Sequence, residues 1–179
     1  MPLLRKEAEI FPEDLFESVA QPWWVAHVRA RHEKTLAREM LDRGIAFYAP
    51  QIEQKRRREG RTFRSFLPLF SGYVFFRGDP DARDVVRRRP AVVNVLDVDD
   101  QDLLTSELAQ IRKLQLAGAS LRPFVDYAPG DVVRVREGAF AGYKGVVVRT
   151  KGAQRLIVQV STLRQLVAVE FDREVVSPR

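Results

Sequence analysis

The sequence predicts an α+β chain of two domains: an antiparallel sheet with flanking helices, followed by a small β-barrel. Three observations lead there. Up to about residue 116, apolar residues recur in turn with strand and with helix spacing. Between Ala117 and Asp126 (AGASLRPFVD) that periodicity lapses into small residues and a proline, the composition of a linker. Beyond it, β-branched runs follow one another with turns about every ten residues. A chain of 179 residues suits two small domains. The expected boundaries are a flexible extension at 1–20, a first domain at 21–116, a linker at 117–126 and a second domain at 127–179.

Trp23 to Arg29 (WWVAHVR) is aromatic and β-branched with rough alternation, which predicts a strand buried on at least one face. Arg31 to Arg43 reads as a helix. Leu36, Ala37, Met40 and Leu41 recur at helical spacing, Lys34, Arg38 and Glu39 fill the other face, and Gly44 supplies the stop. Ala46 to Ile52 is extended, with Pro50 confining it to an edge. Leu67 to Phe76 (LPLFSGYVFF) is the most apolar strand, ended by Gly78, Asp79 and Pro80. A short helix at Asp84 to Arg89 stops at Pro90, and Val92 to Leu96 returns as a strand. Asp97, Asp99, Asp100 and Asp102 lack the glycine and closing glutamate of a calcium loop, so they read as a turn and helix cap. Thr105 to Leu116 is a longer helix with Leu108, Ile111, Leu114 and Leu116 as its apolar stripe. The last domain reads as strands at Val132 to Arg136, Lys144 to Arg149, Arg155 to Ser161 and Leu166 to Phe171. Closing them into a barrel removes the edges an open sheet of that size would expose.

Net charge is +6 with a pI near 10.0, and its distribution is uneven. Lys55, Arg56, Arg57, Arg58, Arg61 and Arg64 crowd one stretch in which Glu59 is the single acid. Such a cluster attracts phosphate through counterion release, although a solvated hairpin tip is the plainer reading. The absence of cysteine excludes a disulfide framework and a thiolate metal site, which fits a cytoplasmic protein. No apolar run is long enough for a membrane span, and Met1 to Glu17 lacks the pattern of a secretory signal. His27 and His32 have no nucleophile motif near them. No catalytic, metal or cofactor site is therefore expected, and the chain is expected to be a monomer.

Tyr127 to Val148 reads YAPGDVVRVREGAFAGYKGVVV, with Pro129-Gly130-Asp131 turning into a strand, Gly138 and Gly142 bracketing a loop, and Gly145 easing the next strand past its neighbour. This resembles the KOW motif. Ahead of it stand Pro22-Trp23-Trp24-Val25, Glu33, Tyr48-Ala49-Pro50 and Pro68-Leu69-Phe70-Ser71-Gly72-Tyr73-Val74-Phe75-Phe76. Their order and spacing resemble the N-terminal domain of NusG, a bacterial transcription elongation factor. Pro68-Leu69-Phe70, Arg61-Thr62 and Glu137-Gly138-Ala139-Phe140 lean toward the specialised paralogues, of which RfaH is the known example, whereas Gly145 keeps the KOW glycine that RfaH lacks.

The resemblance implies a NusG-type α/β sandwich and an SH3-like KOW barrel. It implies that the first domain docks on the clamp helices of RNA polymerase through aromatic anchors, for which Trp24, Phe70 and Tyr73 are the candidates. Plain core packing is the alternative for each. Alternation along one strand would set Phe70 and Tyr73 on opposite faces unless Gly72 introduces a bulge. Lys55, Arg56, Arg57, Arg58, Arg61 and Arg64 would face upstream or non-template DNA, with Phe63 and Phe66 available to stack on an unpaired base. The barrel would use Phe140, Tyr143 and Leu163 to bind a partner such as a small-subunit ribosomal protein. Thr162-Leu163-Arg164-Gln165-Leu166-Val167 departs from the family's Phe-Gly-Arg-x-Thr-Pro loop, which weighs against binding the terminator Rho. The rival reading is a KOW-containing RNA-binding or ribosome-associated protein, which would need the basic residues but no exposed aromatic face.

Overall fold

The computed structural model describes residues 6–124, 132–134, 144–146 and 156–170. The first domain is built on a five-stranded antiparallel sheet in the order β1-β3-β6-β2-β7. Its strands are β1 (Ile10–Phe11), β2 (Trp23–Val28), β3 (Ala46–Tyr48), β6 (Tyr73–Arg77) and β7 (Val92–Leu96). Between β3 and β6 the chain leaves the sheet as a hairpin of β4 (Gln51–Arg58) and β5 (Arg61–Pro68), turned at Glu59-Gly60, where both residues have positive φ.

Alternation along β2 divides the core in two. Ala26 and Val28 face α2 (Glu33–Asp42) and α3 (Pro80–Arg87), where Leu36, Ala37, Met40 and Val86 complete one buried cluster. Trp23 and Val25 face the other way, toward α1 (Leu15–Ser18) and α4 (Gln101–Leu116), with Leu15, Leu104, Leu108 and Ile111. Helix α4 is fixed on β2 by polar contacts. The Trp23 indole donates to Thr105 Oγ1 at 2.9 Å, and the Gln101 amide exchanges hydrogen bonds with the Trp23 backbone at 2.7 and 3.0 Å. Asp100 caps the helix, accepting from Leu103 N, as the acidic run led one to expect.

Two boundaries differ from the sequence reading. Residues 10–18, expected to be a flexible tail, add an edge strand beside β3 and bury Leu15 completely. Within the stretch read as linker, β8 (Ser120–Phe124) pairs with β12 (Gln165–Glu170), which also pairs with β11 (Leu156–Val160). β9 (Val132–Arg134) and β10 (Lys144–Val146) form a further antiparallel pair. Leu121, Val158, Val160 and Val167 join the same buried cluster as α4, so the C-terminal sheet packs against that helix. Ser161, opening a 3-10 turn (Ser161–Leu163), donates from N and Oγ to the Glu107 carboxylate at 3.0 and 2.6 Å.

Candidate docking face and nucleic-acid interface

β2 and β6 pair Trp23 with Arg77, Val25 with Phe75 and His27 with Tyr73, so these side chains share the α4 side of the sheet. Tyr73 lies half-buried at its open end, its ring stacked on His27 at 5.1 Å and 23°. Phe70 is 2% exposed and meets Phe75 edge-to-face at 5.3 Å. It precedes β6, separated from it by the Ser71-Gly72 turn, so strand alternation never applied across the pair. Both aromatics therefore reach the same cluster. Gly72 adopts φ +85°, a conformation that L side chains rarely take. Its N–H donates to the Glu33 carboxylate at 2.6 Å, and its carbonyl accepts from Val28 N at 2.8 Å. Glu33, 3% exposed at the start of α2, thus pins the turn that aims Tyr73. The sequence had shown Glu33 only as a helix start, because its partner lies 39 residues away.

Trp24 stands apart from the other two anchors. It points to the opposite side of the sheet, packs against the α2–α3 cluster, donates to the Gly78 carbonyl at 3.0 Å and carries the Arg83 guanidinium 4.8 Å over its ring. The indole on the face of Phe70 and Tyr73 is Trp23, fully buried under Phe16 and beneath Arg77, whose guanidinium lies 5.0 Å from the ring. Partial burial lowers the Arg77 pKa from its usual value.

The β4–β5 hairpin springs from the end of the sheet at which β6 begins, with Gln51 opposite Pro68 and Leu69 N bonded to the Pro50 carbonyl at 2.8 Å. Its register sorts the basic residues. Arg56 faces Phe63 and Arg58 faces Arg61, placing three arginines and an exposed phenylalanine on one side. Lys55 faces Arg64, Arg57 faces Thr62 and Glu53 faces Phe66 on the other, where Arg64 pairs with Glu53 at 3.4 Å. Phe63 and Phe66 are therefore not neighbours on one stacking surface. Phe66 lines a cleft of about 900 Å³ with Gln54, Gln115 and Arg122, between the hairpin base and β8.

A second basic group escaped the sequence reading because its members come from separate segments. Arg29 N donates to the Ala91 carbonyl at 2.9 Å, which brings exposed Arg29 close to the Arg88-Arg89 pair that follows α3. Asp84 pairs with Arg87 at 3.3 Å. Of the three barrel residues, Leu163 is half-buried against the α4 cluster, while Phe140 and Tyr143 lie outside the described residues. Among the described residues no group of three or more His, Asp or Glu side chains is placed to hold a metal. None of their helices is long and apolar enough to cross a membrane.

Two family profiles match the chain. The profile of the family described as "Transcription termination factor nusG" matches residues 21–116, and that of the KOW motif matches residues 129–161. A protein of Escherichia coli O6:H1 named "Transcription termination/antitermination protein NusG" is 35% identical over 153 residues, covering 82% of this chain and 81% of its own length. Proteins of the same name from Deinococcus radiodurans and Pseudomonas aeruginosa are 27% and 26% identical, covering 84% and 72% of this chain and 95% and 81% of their own lengths.

Proposed function

The chain belongs to the NusG family of transcription termination and antitermination factors, and from that premise we propose that it binds RNA polymerase through its first domain and recruits a partner through its KOW module. It acts by binding, without catalysis. One observation carries the reading: the aromatic end of the sheet, with Tyr73 on His27, adjoins the root of a hairpin bearing one lysine and five arginines. A protein docked by the aromatic end would carry the hairpin alongside it, where phosphate is the natural counter-charge. Arg29 and Arg89 add positive charge at the same end of the sheet as Tyr73.

Aromatic side chains dominate buried interfaces, and of the two predicted anchors on this side of the sheet, Phe70 and Tyr73, it is Tyr73 that presents surface. The upstream duplex or the non-template strand is the nucleic acid within this reading, and a ribosomal protein of the small subunit is the candidate partner of the KOW module. The test is affinity of the full chain for core RNA polymerase. Tyr73→Ala should weaken binding by about 1–3 kcal/mol while leaving the melting temperature near that of the parent. Equal affinity of the two chains would remove Tyr73 from the interface, and absence of binding by the parent would overturn the function.

A further inference from the structure

Resting on that reading, we propose that residues 10–16 occupy in cis the aromatic groove that receives the polymerase, so that this segment gates the docking face. The segment precedes the family-matched region, which begins at residue 21. It nevertheless supplies the lid of that region's main cluster. Leu15 is fully buried and Ile10 is 6% exposed, while the Phe16 ring lies 5.8 Å from that of Trp23 and 5.5 Å from that of Tyr48, edge-on. Trp23 and Tyr48 belong with Phe70 and Phe75 to the cluster against which Tyr73 packs. Tyr48 lies opposite Phe75 on the neighbouring strand, and Phe75 meets Phe70 edge-to-face, so lifting the segment would open a path of aromatic rings from Trp23 and Tyr48 through Phe75 toward the Tyr73 end of the sheet. An apolar surface of that kind marks a protein-binding site.

The fastening is of a reversible kind. The segment has only a two-residue strand and a four-residue helix, and the N-cap Asp14 makes no side-chain capping bond. Elements this short have little internal backbone hydrogen bonding, so their order rests on the apolar plug rather than on their own helix or strand. Its charged fasteners are Glu9 and Glu13 to Arg112 at 3.5 and 3.0 Å, and Glu7 to Arg38 at 2.8 Å. The Glu13 and Arg38 side chains are 83% and 62% exposed, so salt screens these two bonds. The segment thus holds by an apolar plug inside and two exposed ion pairs outside, tied at its start by the largely buried Glu9–Arg112 pair, an arrangement in which a competing apolar partner can displace residues 10–16.

Locking the lid tests the idea. Ala49 N donates to the Glu9 carbonyl at 2.7 Å, one step beyond the Ile10–Tyr48 pair, so Glu9→Cys with Ala49→Cys sets two thiols at neighbouring positions of adjacent strands. The chain has no cysteine of its own, so this would be its single disulfide. The oxidised full chain should bind core RNA polymerase at least about tenfold more weakly than the same chain reduced, and Phe16→Ala should bind more tightly than the parent. Equal affinity of the oxidised and reduced forms would overturn the gate, even if Phe16→Ala failed to fold. If the lock has no effect while Tyr73→Ala weakens binding, the gate falls alone. Absence of binding by every form rejects the gate together with the function on which it rests.

Discussion

The hairpin register turns a cluster of positive charge into a directional prediction. Arg58 and Arg61 face one another across the tip on the side that also carries Arg56 and Phe63, whereas Arg57 and Arg64 lie on the other side. Arg58 has Glu59 for company at 3.9 Å, but both side chains are more than 80% exposed, so that pair competes little with phosphate. Arg64 is already engaged by Glu53. Replacing Arg58 and Arg61 together by glutamine should therefore remove two phosphate contacts. Each contact contributes about 0.9 to the slope of log K against log salt on duplex DNA and about 0.7 on a single strand, a loss of about 1.8 or about 1.4 for the pair. Between 50 and 200 mM salt, a fourfold interval, a slope of about 1.8 corresponds to about 12-fold in affinity, so the parent should lose about 12-fold more than the variant. Fluorescence anisotropy on labelled duplex and single strand, titrated across that interval, reads the slope directly. Arg57→Gln with Arg64→Gln should change it by less than half as much. Equal slopes for both double variants, or a larger effect from the second, would refute the assignment of the Arg58–Arg61 side as the nucleic-acid face.

Three further outcomes follow from the packing. Leu15→Ala removes a fully buried side chain and should lower stability by about 2–5 kcal/mol in urea unfolding; a loss under about 1 kcal/mol would mean that the N-terminal segment is not part of the core. Glu33→Ala leaves the Gly72 N–H without its acceptor and should lower stability by about 1–3 kcal/mol, with polymerase binding weakened further because Tyr73 loses its aim; unchanged binding would separate the turn from the interface. Burial first, and then the negative Glu9, push the Tyr48 phenol well above its usual range. A folded pKa raised above the unfolded value of about 10 gives stability that is intact below pH 10 and lost as pH rises beyond it, so Tyr48→Phe should flatten the alkaline limb of the stability curve; identical losses between pH 8 and 11 would contradict this.

The alternation in WWVAHV settled that Trp23 and Trp24 face opposite ways, and the α+β order of elements was equally open to inspection. Which indole shares the side of Tyr73 was not, since that depends on the pairing of Tyr73 with His27 rather than on β2 itself. The long apolar run Leu67 to Phe76 read as one strand because Ser71-Gly72 is short and Phe70 is apolar. A glycine at φ +85°, held by Glu33 from another element, divides it instead. Residues 10–18 carry no periodicity because each of their elements spans only about one period, and what orders them is Trp23 together with Tyr48 and Arg112 farther along the chain. Pro123 made β8 look like linker. In the order β11-β12-β8 the strand is an edge, where a proline without an N–H is tolerated.

That edge strand leaves only residues 117–119 between α4 and the C-terminal sheet, and the sheet rests on α4 through Val158, Val160 and Val167. Glu107 joins the two, accepting twice from Ser161. Glu107→Ala should loosen this contact, because Ser161 N loses its partner at a cost of about 1–3 kcal/mol, and limited proteolysis within residues 117–124 should quicken. The loosened sheet should stay a sheet. Leu156–Val160 reads LIVQV and Gln165–Glu170 reads QLVAVE, and their β-branched residues lose χ1 freedom in a helix while packing well on a pleated surface. No compensating helical stripe is present in either run. Far-UV circular dichroism of Glu107→Ala should therefore show the helical signal of the parent. A clear gain of helix in the variant would show that docking on α4, rather than the local sequence, keeps these residues in strands.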